Sequence, residues 1–196
     1  MNASDPSAQA PKSAIVLYAS MFGTTEFIAE QLAEELAARL AIEVMARDIT
    51  WFEPSQLSDY ELIVIGSSTW NIGQLPSDLV VKLPQIAALD LSGRSLALFG
   101  TGDQLCYPDT YLDAVGIIAE ELTATGARLI GNVSASDYDF GFSLALRDGR
   151  LLGLGLDDDN EPELTAVRLT TWVDKLLAEF QTAPVRADGE AMHAAA

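Results

Sequence analysis

The chain has 196 residues, 49% of them apolar, and a formal charge of −18 from 29 acids against 11 bases. This is length and apolar content for one domain with a continuous core, and the charge disfavours nucleic acid or anionic lipid as a partner. A single cysteine, Cys106, excludes an intramolecular disulfide and a thiolate cluster, and the one histidine, His193, lies in the terminal stretch, so redox chemistry would have to come from a cofactor.

The first dozen residues, MNASDPSAQAPK, have neither the basic start nor the apolar middle of a secretory signal. They read as a disordered leader, residues 1–12, and a cytoplasmic protein is expected. No run of about 18 apolar residues occurs, so no helical membrane span is expected. Residues 14–19, AIVLYA, are too short for a helix and too apolar for a half-exposed strand, which predicts a buried parallel strand. The chain leaves it through SMFGTTE, residues 20–26. Gly23 permits a positive φ, and Thr24 and Thr25 open the next helix with amide donors and hydroxyls. Such a helix start attracts phosphate, although the same residues also serve as a plain cap. The loop has no lysine or arginine and the chain has no GxxxxGK[ST], so a monophosphate on neutral donors fits better than a triphosphate.

Helical spacing follows over 25–40, with Phe27, Ile28, Leu32, Leu36 and Leu40 on one side. Strands are predicted at 42–46 (IEVMA) and 62–66 (LIVIG). The second of these opens into SSTWNIGQLPSD, residues 67–78, whose Trp70 belongs to no core pattern. An indole placed between Thr69, Asn71 and Gly73 is poorly used unless something flat stacks on it. A helix over about 76–88 leads to a strand at 95–99 (SLALF) and a third loop, GTGDQLCYPD, residues 100–109, with Tyr107 in a similar setting. A helix over about 110–125, a strand at 128–133 (RLIGNV) and a last helix over about 162–180, opened by Pro162, complete the pattern. The end, QTAPVRADGEAMHAAA, residues 181–196, has no apolar period and reads as a flexible tail.

Alternating strands and helices imply right-handed crossovers and a three-layer α/β sandwich, one domain over 13–180. In such a sheet a ligand binds beyond the carboxyl ends of the strands, where the winding direction reverses. The loops at 20–25, 67–74 and 100–109 follow neighbouring strands and can converge there. Two aromatic plates over a phosphate cradle describe the site of a mononucleotide with a broad ring.

AIVLYASMFGTTE, IGSSTWNIGQLPSD and FGTGDQLCYPDTYLDAVG resemble the three FMN-binding loops of flavodoxins. SDYDFGFSLALRDGRLLGLGLDDDNEPELT, residues 136–165, is similar to the insertion and final strand of the long-chain members. The resemblance implies a five-stranded parallel sheet of order 2-1-3-4-5, for which flavodoxin is itself the type example, with the last strand interrupted by an insertion. It implies that Ser20, Gly23, Thr24 and Thr25, in one loop with Met21 and Phe22, hold the FMN phosphate. Trp70 and Tyr107 would sandwich the ring, Thr69 and Asn71 with Ser68, Ile72 and Gly73 would line its edge and the phosphate, and Thr101, Gly102 and Asp103 would face the pyrimidine end. The peptide after Asn71 would tune reduction by accepting a hydrogen bond from the flavin N5 proton. Asp103, Asp109 and Asp157 would oppose an anionic, fully reduced ring.

The implied function is a low-potential one-electron carrier with no substrate of its own, a monomer passing electrons between basic-faced redox proteins: a flavodoxin reductase as donor and a larger redox enzyme as acceptor. Docking rates should then fall with rising salt. The alternative is an FMN-dependent NAD(P)H:quinone-type reductase. A receiver-type signalling module on the same fold would need an acidic cluster after the first strand, where Ala19 and Ser20 stand. Three positions depart from the family pattern. Phe22 replaces a threonine, whose lost hydroxyl would weaken phosphate binding by about 1–3 kcal/mol if nothing substitutes. Ala19 replaces a glycine. Cys106 stands where glycine is common, either altering the loop beside Tyr107 or serving as a small buried filler.

Overall fold

β1 (Ala14–Ala19) is buried along its whole length, and its alternate side chains enter two different cores. Ile15, Leu17 and Ala19 face one, while Ala14, Val16 and Tyr18 face the other. This is the consequence of a period-2 pleat whose two faces are both covered. The structure, a computed structural model, describes residues 10–182. The other strands and α-helices are α1 (Thr24–Leu40), β2 (Val44–Asp48), β3 (Leu62–Ser68), α2 (Ser77–Ala87), β4 (Ser95–Thr101), α3 (Asp113–Leu122), β5 (Arg128–Ile130), the short strands β6 (Val133–Ser134), β7 (Leu146–Arg147) and β8 (Arg150–Leu151), then β9 (Leu154–Leu156) and α4 (Pro162–Gln181).

The main sheet is parallel, ordered β2-β1-β3-β4-β5, with β9 also paired to β4. β4 pairs with β5 through Ser95–Ala97 and with β9 through Phe99–Thr101, so the last strand position is filled in two pieces. The excursion between them forms a small antiparallel sheet, β6-β8-β7. α1 and α4 cover one face of the main sheet with Ile28, Leu32, Leu36, Leu169, Trp172 and Leu176. α2 and α3 cover the other with Leu79, Leu83, Ile86, Val115 and Ile118. No described helix is long and apolar enough to cross a membrane.

Several boundaries differ from the sequence reading. β2 begins at Val44 rather than residue 42 because Ala41, at φ 54°, closes α1 in the left-handed region and the chain needs Ile42 and Glu43 to turn back. β5 ends at Ile130 because Gly131 adopts φ 83° and lies against Trp172, whose Nε1–H donates to the Gly131 carbonyl at 2.7 Å. The helix expected over 110–125 is α-helical only over Asp113–Leu122, with a 3-10 turn at Thr123–Thr125. Pro11 is buried and the Lys12 N–H donates to Glu61 at 2.8 Å, so ordered packing starts within the expected leader. α4 continues to Gln181, one residue into the expected tail. Residues 1–9 and 183–196, with His193, lie outside the described residues.

Register sets the loops that matter at one level. Ala19 is opposite Ser67, Ser67 opposite Gly100, and Thr101 opposite both Ser68 and Leu156. From β1 the chain moves outward to β2 and then returns past β1 to β3 on its other side, so the winding direction reverses there and the carboxyl ends of β1 and β3 frame the switch point.

Candidate functional site

At that switch point a cavity of about 420 Å³ opens beyond the strand ends, a size typical of small-molecule sites. From the first loop it is lined by Ser20, Met21, Phe22, Thr24 and Thr25. The second loop contributes Ser68, Thr69, Trp70 and Asn71, and the third Thr101, Gly102, Asp103 and Tyr107. The lining is completed by Asp158 and Asp159, which follow β9.

The first loop is shaped by Gly23, whose φ of 94° a side chain would rarely tolerate. Its N–H donates to Ser20 Oγ at 3.0 Å, so this amide serves the loop itself. The first helical bond of α1 is Phe27 N–H to Gly23 O, at 2.9 Å. The amides of Thr24, Thr25 and Glu26 therefore have no intrahelical acceptor, and no side chain caps the helix. The Thr25 hydroxyl is buried and shares a 2.8 Å hydrogen bond with that of Thr101, which ties the first loop to the third. Ser68 Oγ, at the end of β3, is buried with no hydrogen-bond partner. A buried hydroxyl left unpaired costs free energy that a ligand acceptor can recover.

Trp70 is held by a two-way bridge: its N–H donates to Gln74 O at 2.7 Å, and the Gln74 N–H donates back at 2.8 Å. Between them Asn71 and Gly73 take positive φ, 45° and 76°, and Asn71 Nδ2 donates to Gln74 Oε1. Gly73 is required for space as well, since a Cβ there would come within 2.6 Å of Asp113 Oδ2. The loop is anchored beneath by Ala114 N–H donating to Thr69 Oγ1 at 3.3 Å. Tyr107 is half exposed on the opposite rim. Phe22 is 85% exposed, yet its ring lies 5.6 Å from that of Trp70, tilted by 51°.

The third loop turns around Asp103. Burial pushes its carboxyl up, but hydrogen bonds from Cys106, Asn160 and the Leu105 N–H outweigh this and hold it below the ordinary carboxylate range. The Leu105 and Cys106 amides donate to Oδ1 at 3.0 and 2.8 Å, and Asn160 Nδ2 donates to it at 2.9 Å. Asp103 in turn pushes the exposed Cys106 thiol up by hydrogen bonding and charge. Cys106 is thus no buried filler.

Five candidates stand outside the lining. Gly23 and Gly73 shape the loops, and Ile72 points away with 81% of its surface exposed. Asp109 packs its carboxylate against Gly141 of the insertion. Asp157 corrects the sequence reading most clearly: it is 1% exposed and accepts from the Gln104 N–H at 3.0 Å and from Asn160, so it braces the third loop from below. Asp158 and Asp159 carry the charge at the cavity instead. The run DDDN after an apolar strand was the available signal, but which acid turns inward depends on where β9 stops. Arg168 was also missed. It pairs with Glu161 at 2.8 Å and lies 4.6 Å over the Tyr138 ring, while Glu161 accepts from Gln104 Nε2. This network joins α4, the insertion and the third loop.

The sequence model of the flavodoxin family matches residues 16–172. Flavodoxin from Nostoc sp. is 39% identical over 165 residues, covering 84% of this chain and 95% of the relative. Flavodoxin from Synechocystis sp. is 37% identical over 167 residues, covering 85% and 97%. Among solved structures, Fusobacterium nucleatum flavodoxin bound to flavin mononucleotide superposes with a TM-score of 0.79 at 20% identity, covering 86% of this chain and 99% of that one.

Proposed function

Since the chain belongs to the flavodoxin family, and is accordingly an FMN-binding electron carrier rather than an enzyme with its own substrate, we propose that the cavity between the loops after β1, β3 and β4 holds the FMN. One observation carries this placement. Thr24 and Thr25 at the uncapped start of α1, Ser68 with its buried, unpartnered hydroxyl, and the aromatic residues Trp70 and Tyr107 all line one cavity. That donor set fits a phosphate and a flat heterocycle and contains no cation, as suits a monophosphate. The quinone-type reductase gains no support from the relatives.

The residues then divide their work by chemistry. The Thr24 and Thr25 amides, with the Ser20 and Ser68 hydroxyls, hold the phosphate. Trp70 and Tyr107 hold the ring, and the bridge around Asn71–Gly73 places backbone groups at its edge. When bound, FMN supplies one-electron chemistry, and the protein adjusts its potential. Asp103, kept ionised by its hydrogen bonds, and the exposed Asp158 and Asp159 maintain a negative potential over the cavity. Added negative charge there is opposed, which favours a low potential for the second electron.

An anaerobic reductive titration with added FMN tests the reading. The expected spectrum gains a long-wavelength radical band up to one electron per flavin and loses it by the second. A protein that leaves FMN free, or takes both electrons in one step, would overturn the carrier reading.

The same acids support docking of a monomer on basic faces of a donor reductase and an acceptor enzyme, since no cation lines the cavity to oppose them. Association rates measured from low to high ionic strength are expected to fall about tenfold or more. Flat rates would remove electrostatic steering from the proposal. A cytoplasmic setting belongs to it too, supported by a chain whose one cysteine leaves no intramolecular disulfide to form.

A further inference from the structure

The first loop carries a phenyl ring where the family pattern has a hydroxyl, and three observations assign that ring a use. Phe22 lines the cavity together with Trp70. Its ring meets the indole at a centroid distance of 5.6 Å and a tilt of 51°, within the range and geometry at which aromatic pairs attract beyond simple burial. The residue is 85% exposed even with Trp70 beside it, so it contributes almost nothing to either core, and Trp70 is its aromatic contact among the described residues.

Polar grip in this loop is correspondingly thin. The Gly23 N–H is spent on Ser20, and the Thr25 hydroxyl is shared with Thr101. The backbone of Trp70 is fixed by its bridge to Gln74, but that bridge leaves the indole's own torsions free. A ring leaning on it from the neighbouring loop limits those torsions before any ligand arrives. Ordering a side chain in advance removes a cost that binding would otherwise bear.

We propose that Phe22 is a positioning residue for the cofactor: it props the Trp70 indole over the cavity, so that a preformed aromatic wall compensates for the missing phosphate-loop hydroxyl. The inference rests on the placement of FMN in this cavity. It predicts that Phe22 acts through Trp70 and that the effect requires an aromatic ring.

The test is a double-mutant cycle on FMN affinity together with a measurement on the ligand-free protein. F22A is expected to raise the FMN dissociation constant about three- to tenfold when Trp70 is present, and by less than about 1.5-fold in a W70A background. F22Y should restore wild-type affinity, and F22L should not. In apo protein carrying W51F, Trp70 is the quenchable indole, because Trp51 is the 87% exposed one and Trp172 is 2% exposed. There F22A should increase acrylamide quenching about twofold. Equal losses with and without Trp70, or full rescue by F22L, would overturn propping while leaving the carrier reading intact. Wild-type protein that binds no FMN would instead overturn the placement of the cofactor, and unchanged apo quenching would then also dispose of the prop.

Discussion

Replacing Trp70 with alanine is expected to raise the FMN dissociation constant about five- to a hundredfold while leaving the stability of the apo protein within about 0.5 kcal/mol of wild type. The first figure follows from stacking of a heterocyclic base on an aromatic side chain, worth about 1–3 kcal/mol, at 1.4 kcal/mol per decade. The second follows from position. Trp70 belongs to neither core cluster, and the hydrogen bonds that fix its loop are made by its backbone and Gln74, which alanine keeps. Among the two plates, Trp70 should matter more than Tyr107. It is partly buried, bridged at its backbone and in contact with Phe22, whereas Tyr107 is 53% exposed and pairs with no other ring among the described residues. Y107A should therefore cost less, about three- to tenfold. Titration of flavin fluorescence into each apo variant reads both. A W70A protein that binds FMN within twofold of wild type would move the ring elsewhere in the cavity, or out of it.

The residues behind these predictions differ in how plainly the sequence announced them. Parallel strands buried on both faces must be continuously apolar, so AIVLYA, LIVIG and SLALF stood out, and with them the loops that follow. Trp70 and Tyr107 were visible because large aromatics outside any core period need another use. Harder to see was anything decided by where a strand stops. The RLIGNV run looks like one strand, yet Gly131 breaks it to meet Trp172, and the edge is completed by Leu154–Leu156 from far along the chain. That exchange determines that Asp157 turns inward while Asp158 and Asp159 face the cavity. No local pattern separates three consecutive aspartates. Ser68 is the opposite case: its type and place were legible, but its lack of a partner is a property of the packed neighbours.

Gly116→Ala is expected to destabilise the protein by about 3 kcal/mol, although the same change in an exposed helix would gain about 1 kcal/mol. Gly116 lies in α3 beneath the insertion, and a Cβ there would stand 2.3 Å from the carbonyl carbon of Leu144, 2.4 Å from its oxygen and 2.7 Å from Ala145 N. These are backbone atoms and cannot rotate aside, so residues 144–145 must lift. Lifting withdraws the fully buried Ala145 from the core and stretches two hydrogen bonds: Leu144 N–H to Asp113 Oδ1 at 2.7 Å, and Leu152 N–H to Ala145 O at 2.9 Å. Asp113 is 5% exposed, and burial already pushes its carboxyl up. Loss of its donor leaves a buried polar group short of a partner, at about 1–3 kcal/mol, in addition to about 1–3 kcal/mol of overpacking. Less the helix-propensity gain, the net of about 3 kcal/mol lowers Tm by about 6–12 °C for a chain of this size, and urea or thermal unfolding reads it. An unchanged or raised midpoint would mean that the insertion shifts on α3 without cost. FMN affinity discriminates further, because no insertion residue lines the cavity. A change below about threefold would make the insertion a brace for the split last strand. A larger loss would mean that its grip on Asp113 reaches the Thr69–Gly73 loop, which rests on the same turn of α3 through Thr69 Oγ1 and the close approach of Gly73.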